Sequence, residues 1–73
     1  MNIQHLKDFL KVAERCHFTR AVEALYVTQP TLSQQIGQLE KELGAFLFDR
    51  IGKRVQLTAA GTLFRDYAQR TVR

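Results

Sequence analysis

Between Ala24 and Leu39 the chain runs ALYVTQPTLSQQIGQL without one charged side chain. Its polar groups there are short hydroxyls and amides: Thr28, Gln29, Thr31, Ser33, Gln34, Gln35 and Gln38. Groups of this kind donate and accept at once, which is what the edges of base pairs in a DNA major groove require. A glutamine amide pairs bidentately with adenine N6 and N7, and a serine or threonine hydroxyl suits several base edges. Gln29, Pro30, Thr31, Ser33 and Gln34 are therefore candidate base contacts, with Pro30 and Thr31 offering apolar contact to a thymine methyl. The competing reading is an ordinary solvated helix, but such surfaces normally carry Lys and Glu for solubility.

A second chemistry lies downstream. Lys7, Lys11, Arg15 and Arg20 are cancelled by Asp8, Glu14, Glu23 and Glu40, so residues 1–40 carry no excess charge. The whole formal charge of +4 sits in residues 41–73, where Arg50, Lys53 and Arg54 fall within five positions. A basic cluster of this kind is either a solvated turn or a phosphate anchor. With Thr19 and Thr28, these three residues are the candidate contacts to the DNA backbone, and Arg50 or Arg54 is the candidate for insertion into the minor groove.

Other chemistries find little support. The single cysteine, Cys16, has no partner for a disulfide or a zinc knuckle and is expected to serve in packing at the end of the first helix. His5 and His17 lack a metal-ligand spacing and suit solvated or capping roles. There is no nucleophile-base-acid grouping, glycine-rich phosphate loop or carboxylate pair, so neither an enzyme, a metal nor a cofactor is expected. No apolar run nears the length of a membrane span and no signal-peptide pattern occurs, which is the basis for expecting a cytoplasmic protein.

The elements that would position these groups can be read from periodicity. Leu32, Ile36, Leu39 and Leu43 recur at spacings of 4, 3 and 4, one apolar stripe of a helix over about 28–43. Thr28 can cap that helix, and Pro30 falls in its first turn, where a missing N–H costs nothing. Upstream, Phe18, Ala21, Val22, Leu25 and Val27 mark a short helix with Thr19 as its expected N-cap. Only Tyr26 to Thr28 separate the two, which describes a helix-turn-helix, a motif whose second helix enters the major groove.

Ile3, Leu6, Phe9, Leu10 and Ala13 define the buried face of an opening helix from about Ile3 to Cys16. The apolar run Ala45 to Phe48, a turn over Asp49 to Arg54 containing Gly52, and the alternating Val55-Gln56-Leu57 predict a hairpin with a basic tip, a wing. Thr58 then caps a last helix whose stripe is Ala60, Leu63, Phe64, Tyr67, Ala68 and Thr71. Either this stripe folds back on the core, or Leu63, Phe64, Tyr67 and Thr71 form a dimer face. Gly61, a poor helix former in the first turn, implies close backbone contact.

The segment FTRAVEALYVTQPTLSQQIGQLEKELGAFLFDR followed by VQLTAAG, with the opening LKDFLKVAE, resembles the DNA-binding domain of LysR-type transcriptional regulators over nearly the whole chain. The resemblance implies an N-terminal winged helix-turn-helix, then a long linker helix that pairs two subunits. An effector-binding domain absent from this sequence would follow, so the chain is similar to a fragment ending partway along the linker helix. Two positions depart from the pattern. Val22 stands where the family often has alanine. Gln34 stands at a base-contacting position of the family where many relatives carry arginine, which points to adenine rather than guanine as its target.

Together these expectations describe an all-α chain with a small two-stranded β-wing. Residues 1–57 form the winged helix-turn-helix and residues 58–73 begin the dimerising helix. Its partners are double-stranded DNA bearing an interrupted inverted repeat and a second copy of the chain. A small-molecule effector would act only through the absent domain. The alternative from another class is a winged-helix protein-interaction adaptor. RNA binding is disfavoured because Tyr26 is the only turn aromatic, with no second one to stack unpaired bases.

Overall fold

The computed structural model describes residues 2–52 and 54–72, and of Phe18 the backbone alone. The elements run α1 (Ile3–Arg15), α2 (Phe18–Leu25), α3 (Gln29–Leu43), β1 (Phe48–Ile51), β2 (Arg54–Leu57) and α4 (Ala59–Val72).

Three of the four helices, α1, α3 and α4, start at a local side-chain cap. Asn2 caps α1, its side-chain oxygen accepting from His5 N at 2.9 Å. Thr28 caps α3, with Pro30 in the first turn as expected, and Gly44 ends α3 in the left-handed region at φ 70°. Thr58 caps α4: its hydroxyl accepts from Gly61 N at 2.9 Å and donates to the Phe46 carbonyl. The expected cap of α2 is wrong. α2 begins at Phe18, so Thr19 lies inside the first turn and His17 holds the cap position without a side-chain cap hydrogen bond. The cause is tertiary, because His17 is in extended backbone and bridged to Arg54, which starts the helix two residues earlier than the capping preferences suggest.

The core is drawn from every element. Leu6, Phe9 and Val12 of α1, Ala21 of α2, Leu32, Ile36 and Leu39 of α3, Leu47, Phe48, Val55 and Ala68 are buried together. Phe9 is its centre. Its ring meets Phe48 at 5.3 Å and Phe64, edge to face, at 5.1 Å, so one side chain of α1 joins the wing to α4. In the stripes of α1 and α3 two residues escape burial: Leu43, near the end of α3, and Ile3, the first residue of α1, are exposed. Asp8, counted above only as a charge, is 1% exposed and accepts from Gln4 Nε2 at 2.9 Å.

The wing is shorter at its tip and later in sequence than the apolar run predicts. Ala45 and Phe46 are exposed and outside the sheet, while Asp49, Arg50, Ile51 and Arg54, expected in the turn, are strand. The antiparallel register pairs Phe48 with Leu57, Asp49 with Gln56, Arg50 with Val55 and Ile51 with Arg54, with Gly52 following the first strand in a turn. Gly52 takes φ 63°, the left-handed conformation that a two-residue hairpin turn demands. The ladder overrides the local polarity because Phe48 and Val55 bury their side chains on its inner face.

Gly61 has the close contact expected of it. A Cβ there would strike the Leu47 carbonyl oxygen and lie 2.9 Å from Leu57 Cδ2. Only a glycine lets α4 seat against the strand entry, where Thr58 N also donates to Leu47 O at 3.0 Å.

Candidate nucleic-acid interface

The helix α3 presents two different sides. Leu32, Ile36 and Leu39 are buried, while Gln29, Pro30, Thr31, Gln34 and Gln38 are exposed. At 3.6 residues per turn, Pro30 and Gln34 lie opposite the buried stripe, so a duplex could reach them without disturbing the core. The hydroxyls at the helix start are mutually fixed: Thr28 Oγ1 donates to Thr31 Oγ1 at 2.8 Å and accepts from Thr31 N at 3.3 Å.

Ser33 and Glu40, about two turns apart, share the flank of α3 that faces the wing. Arg50 Nη2 donates to Ser33 Oγ at 3.1 Å. The Glu40 carboxylate accepts from the backbone N–H of Leu47 at 2.7 Å and of Phe48 at 3.3 Å. One flank of the reading helix thus carries the strand entry and a wing arginine, so the wing and α3 are braced against each other. Nothing in the local sequence marks Glu40 for this, since its partners lie seven and eight residues on, beyond the end of the helix.

Arg50 and Arg54 of the basic cluster do not share one patch. In the strand register Arg50 shares the inner face with Val55, whereas Arg54 pairs with Ile51 on the other face. Arg50 therefore leans on α3, and Arg54 lines a cleft of about 390 Å³ with Arg15, Cys16, His17, Arg20 and Gln56. Lys53 lies outside the described residues. Thr19 and Thr28 are both exposed.

Cys16 is not the packing residue expected. It is exposed, with φ 56° at the end of α1, and its Sγ donates weakly to Ala13 O at 3.3 Å. The left-handed backbone turns its side chain away from the core face of α1. His17, expected in a solvated or capping role, and Arg15 and Arg20, expected only as charges balanced by acidic residues, line this cleft together. The only hint was two arginines flanking a helix-helix corner, and β2, which completes the cleft, arrives from more than thirty residues later.

On α4 the stripe divides. Ala68 is buried and Phe64 is half-buried against Phe9, while Leu63 is 76% and Tyr67 47% exposed and Thr71 is exposed. The Tyr67 ring lies 5.6 Å from that of Phe64, so the exposed residues continue outward from the core cluster. Among the described residues no helix is long and apolar enough to cross a membrane, and no group of three or more His, Cys, Asp or Glu could hold a metal ion.

The model for bacterial regulatory helix-turn-helix proteins of the lysR family matches residues 3–62. The chain belongs to the lysR family. It is 48% identical over 69 residues to the HTH-type transcriptional regulator AlsR of Bacillus subtilis (strain 168), covering 94% of this chain and 23% of AlsR. It is 45% identical over 73 residues to the DNA-binding transcriptional dual regulator OxyR of Escherichia coli (strain K12), covering all of this chain and 24% of OxyR. This LysR-family chain thus spans about a quarter of the length of these regulators. Among solved structures, the DNA-binding domain of CbnR in complex with DNA superposes with a TM-score of 0.95 at 38% identity, over 99% of this chain and 83% of that one. The fold is the winged helix-turn-helix of LysR regulators, and the relatives named here are transcriptional regulators.

Proposed function

We propose that this LysR-family domain binds double-stranded DNA sequence-specifically, with α3 in the major groove and the wing on the backbone or in the adjacent minor groove. The supporting observation is the exposed side of α3 that carries Gln29, Pro30, Thr31 and Gln34, turned away from the buried Leu32, Ile36 and Leu39 and braced by the wing arginine Arg50. Gln29, Ser33 and Gln34 read base edges, and Pro30 and Thr31 contact thymine methyls. Thr19, Thr28, Arg50, Lys53 and Arg54 set the protein on phosphates, with no sequence information of their own.

Residues 1–57 are the reading unit and 58–73 the start of a pairing helix. Two copies joined through Leu63, Phe64, Tyr67 and Thr71 bind an interrupted inverted repeat. The protein acts in the bacterial cytoplasm as part of a longer regulator whose effector binds elsewhere. Selection of bound duplexes from a random pool, followed by titration at several salt concentrations, tests the reading. One enriched site and a linear fall of log affinity with log salt are expected. Binding with neither preference nor slope would instead make the chain an adaptor for another protein.

A further inference from the structure

We propose that the cleft between the α1–α2 corner and the outer face of the wing seats one phosphate of the DNA backbone, held by Arg15, Arg20 and Arg54. The inference rests on the duplex-binding reading and assigns it a contact outside the recognition helix.

Three arginines from three elements converge on this cleft, and no acidic side chain lines it. Among the described residues, Arg20 and Arg54 have no carboxylate partner. Arg15 reaches only the Glu14 carboxylate, at 3.9 Å between two largely exposed side chains, an arrangement worth little. Converging guanidinium groups repel one another unless an anion lies between them, and their planar forks match phosphate oxygens. α2 also begins here with no side chain capping its first turn, so its partial positive charge adds to theirs.

The walls are fixed without a ligand. Val55 N donates to Cys16 O at 3.2 Å, and His17 is bridged to Arg54. These bonds hold β2 against the corner and keep the arginines from drifting apart. The inner face of the same hairpin meets α3 through Arg50 and Ser33. A strand whose bases face α3 therefore passes the wing, and its backbone is the anion within reach.

Cys16, the only cysteine of the chain, is exposed in this cleft and reports on it. Both specific and random duplexes should slow its alkylation by iodoacetamide, and inorganic phosphate at equal ionic strength should not. The Arg15→Ala, Arg20→Ala double variant alters exposed side chains and should keep the wild-type melting curve. It should bind specific and random duplexes more weakly by the same factor, with the salt slope flattened by about one unit. Replacing backbone phosphates one at a time by neutral methylphosphonate should reveal one position per half-site where the wild type loses affinity and the double variant loses no more.

Unchanged affinity of the double variant for every duplex overturns the seat while leaving duplex binding intact. Protection of Cys16 by inorganic phosphate as strong as by duplex overturns it in favour of a free anion. A wild-type chain that binds no duplex overturns the functional reading and the seat with it.

Discussion

Gln34 stands on the side of α3 opposite the buried stripe, exposed, so its replacement tests base reading without touching the core. Gln34→Ala should lose about 1–3 kcal/mol on the preferred site and almost nothing on random duplex, the signature of bidentate pairing with one base. Equal losses on both, measured by fluorescence anisotropy, would remove Gln34 from the reading set. Two glycines give a contrast in stability on the same scale. At Gly61 a Cβ would meet the Leu47 carbonyl, whereas at Gly37 it would meet nothing within 4 Å. Alanine is the better helix former by about 0.8–1.0 kcal/mol, so Gly37→Ala should stabilise the fold by about that amount. Gly61→Ala should instead destabilise it by roughly 1–3 kcal/mol, the cost of overpacking outweighing propensity. Thermal melting of both variants checks the pair, and a stabilised Gly61→Ala would show that α4 can shift away from the strand entry.

Between elements, the brace of α3 against the wing is the joint on which the interface depends. Glu40→Ala leaves the Leu47 and Phe48 N–H groups without their acceptor, and leaving a buried donor unsatisfied costs about 1–3 kcal/mol. Denaturant unfolding should show that loss, with Glu40→Gln recovering part of it because an amide oxygen still accepts. A variant as stable as wild type would mean that solvent replaces the carboxylate. The second bond of the brace joins two residues proposed for DNA. Since Arg50 donates to Ser33, their replacements should be non-additive in binding, with a coupling of about 0.5–3 kcal/mol in a double-mutant cycle of Ser33→Ala and Arg50→Ala. Additive losses would separate the wing arginine from base reading.

For the whole molecule, size argues for pairing. The protein measures 24 × 24 × 19 Å, less than the roughly 34 Å that separates two major-groove sites on one face of a duplex. One copy offers one candidate reading helix, so the inverted repeat proposed above would engage two copies. Leu63, at 76% exposed, and Tyr67, at 47%, are large apolar side chains on the surface of α4, one turn apart. In sedimentation with a full inverted repeat the wild type should form a two-copy complex. Leu63→Asp with Tyr67→Asp should bind each half-site independently and keep its fold, because neither side chain belongs to the buried core. Wild-type affinity for a single half-site equal to that for the full repeat would remove the dimer.

The sequence by itself determined whatever depends on neighbours within a turn or two. The stripe Leu32, Ile36, Leu39 fixed which side of α3 is buried, Thr28 and Pro30 fixed where it begins, and a glycine in the first turn of α4 announced a close backbone approach. These are local rules of periodicity, capping and sterics, and they hold wherever the chain folds. Only the tertiary structure decided what long-range contact controls. It started α2 at Phe18 by bridging His17 to Arg54, and it made strand of Asp49 to Ile51 because Phe48 and Val55 needed burial. It also sent Arg50 and Arg54 to opposite faces of one hairpin, through the alternation of side chains along a paired strand. The same pairing gathered Arg15 and Arg20 with Arg54 around the cleft, a meeting that no short window of sequence contains.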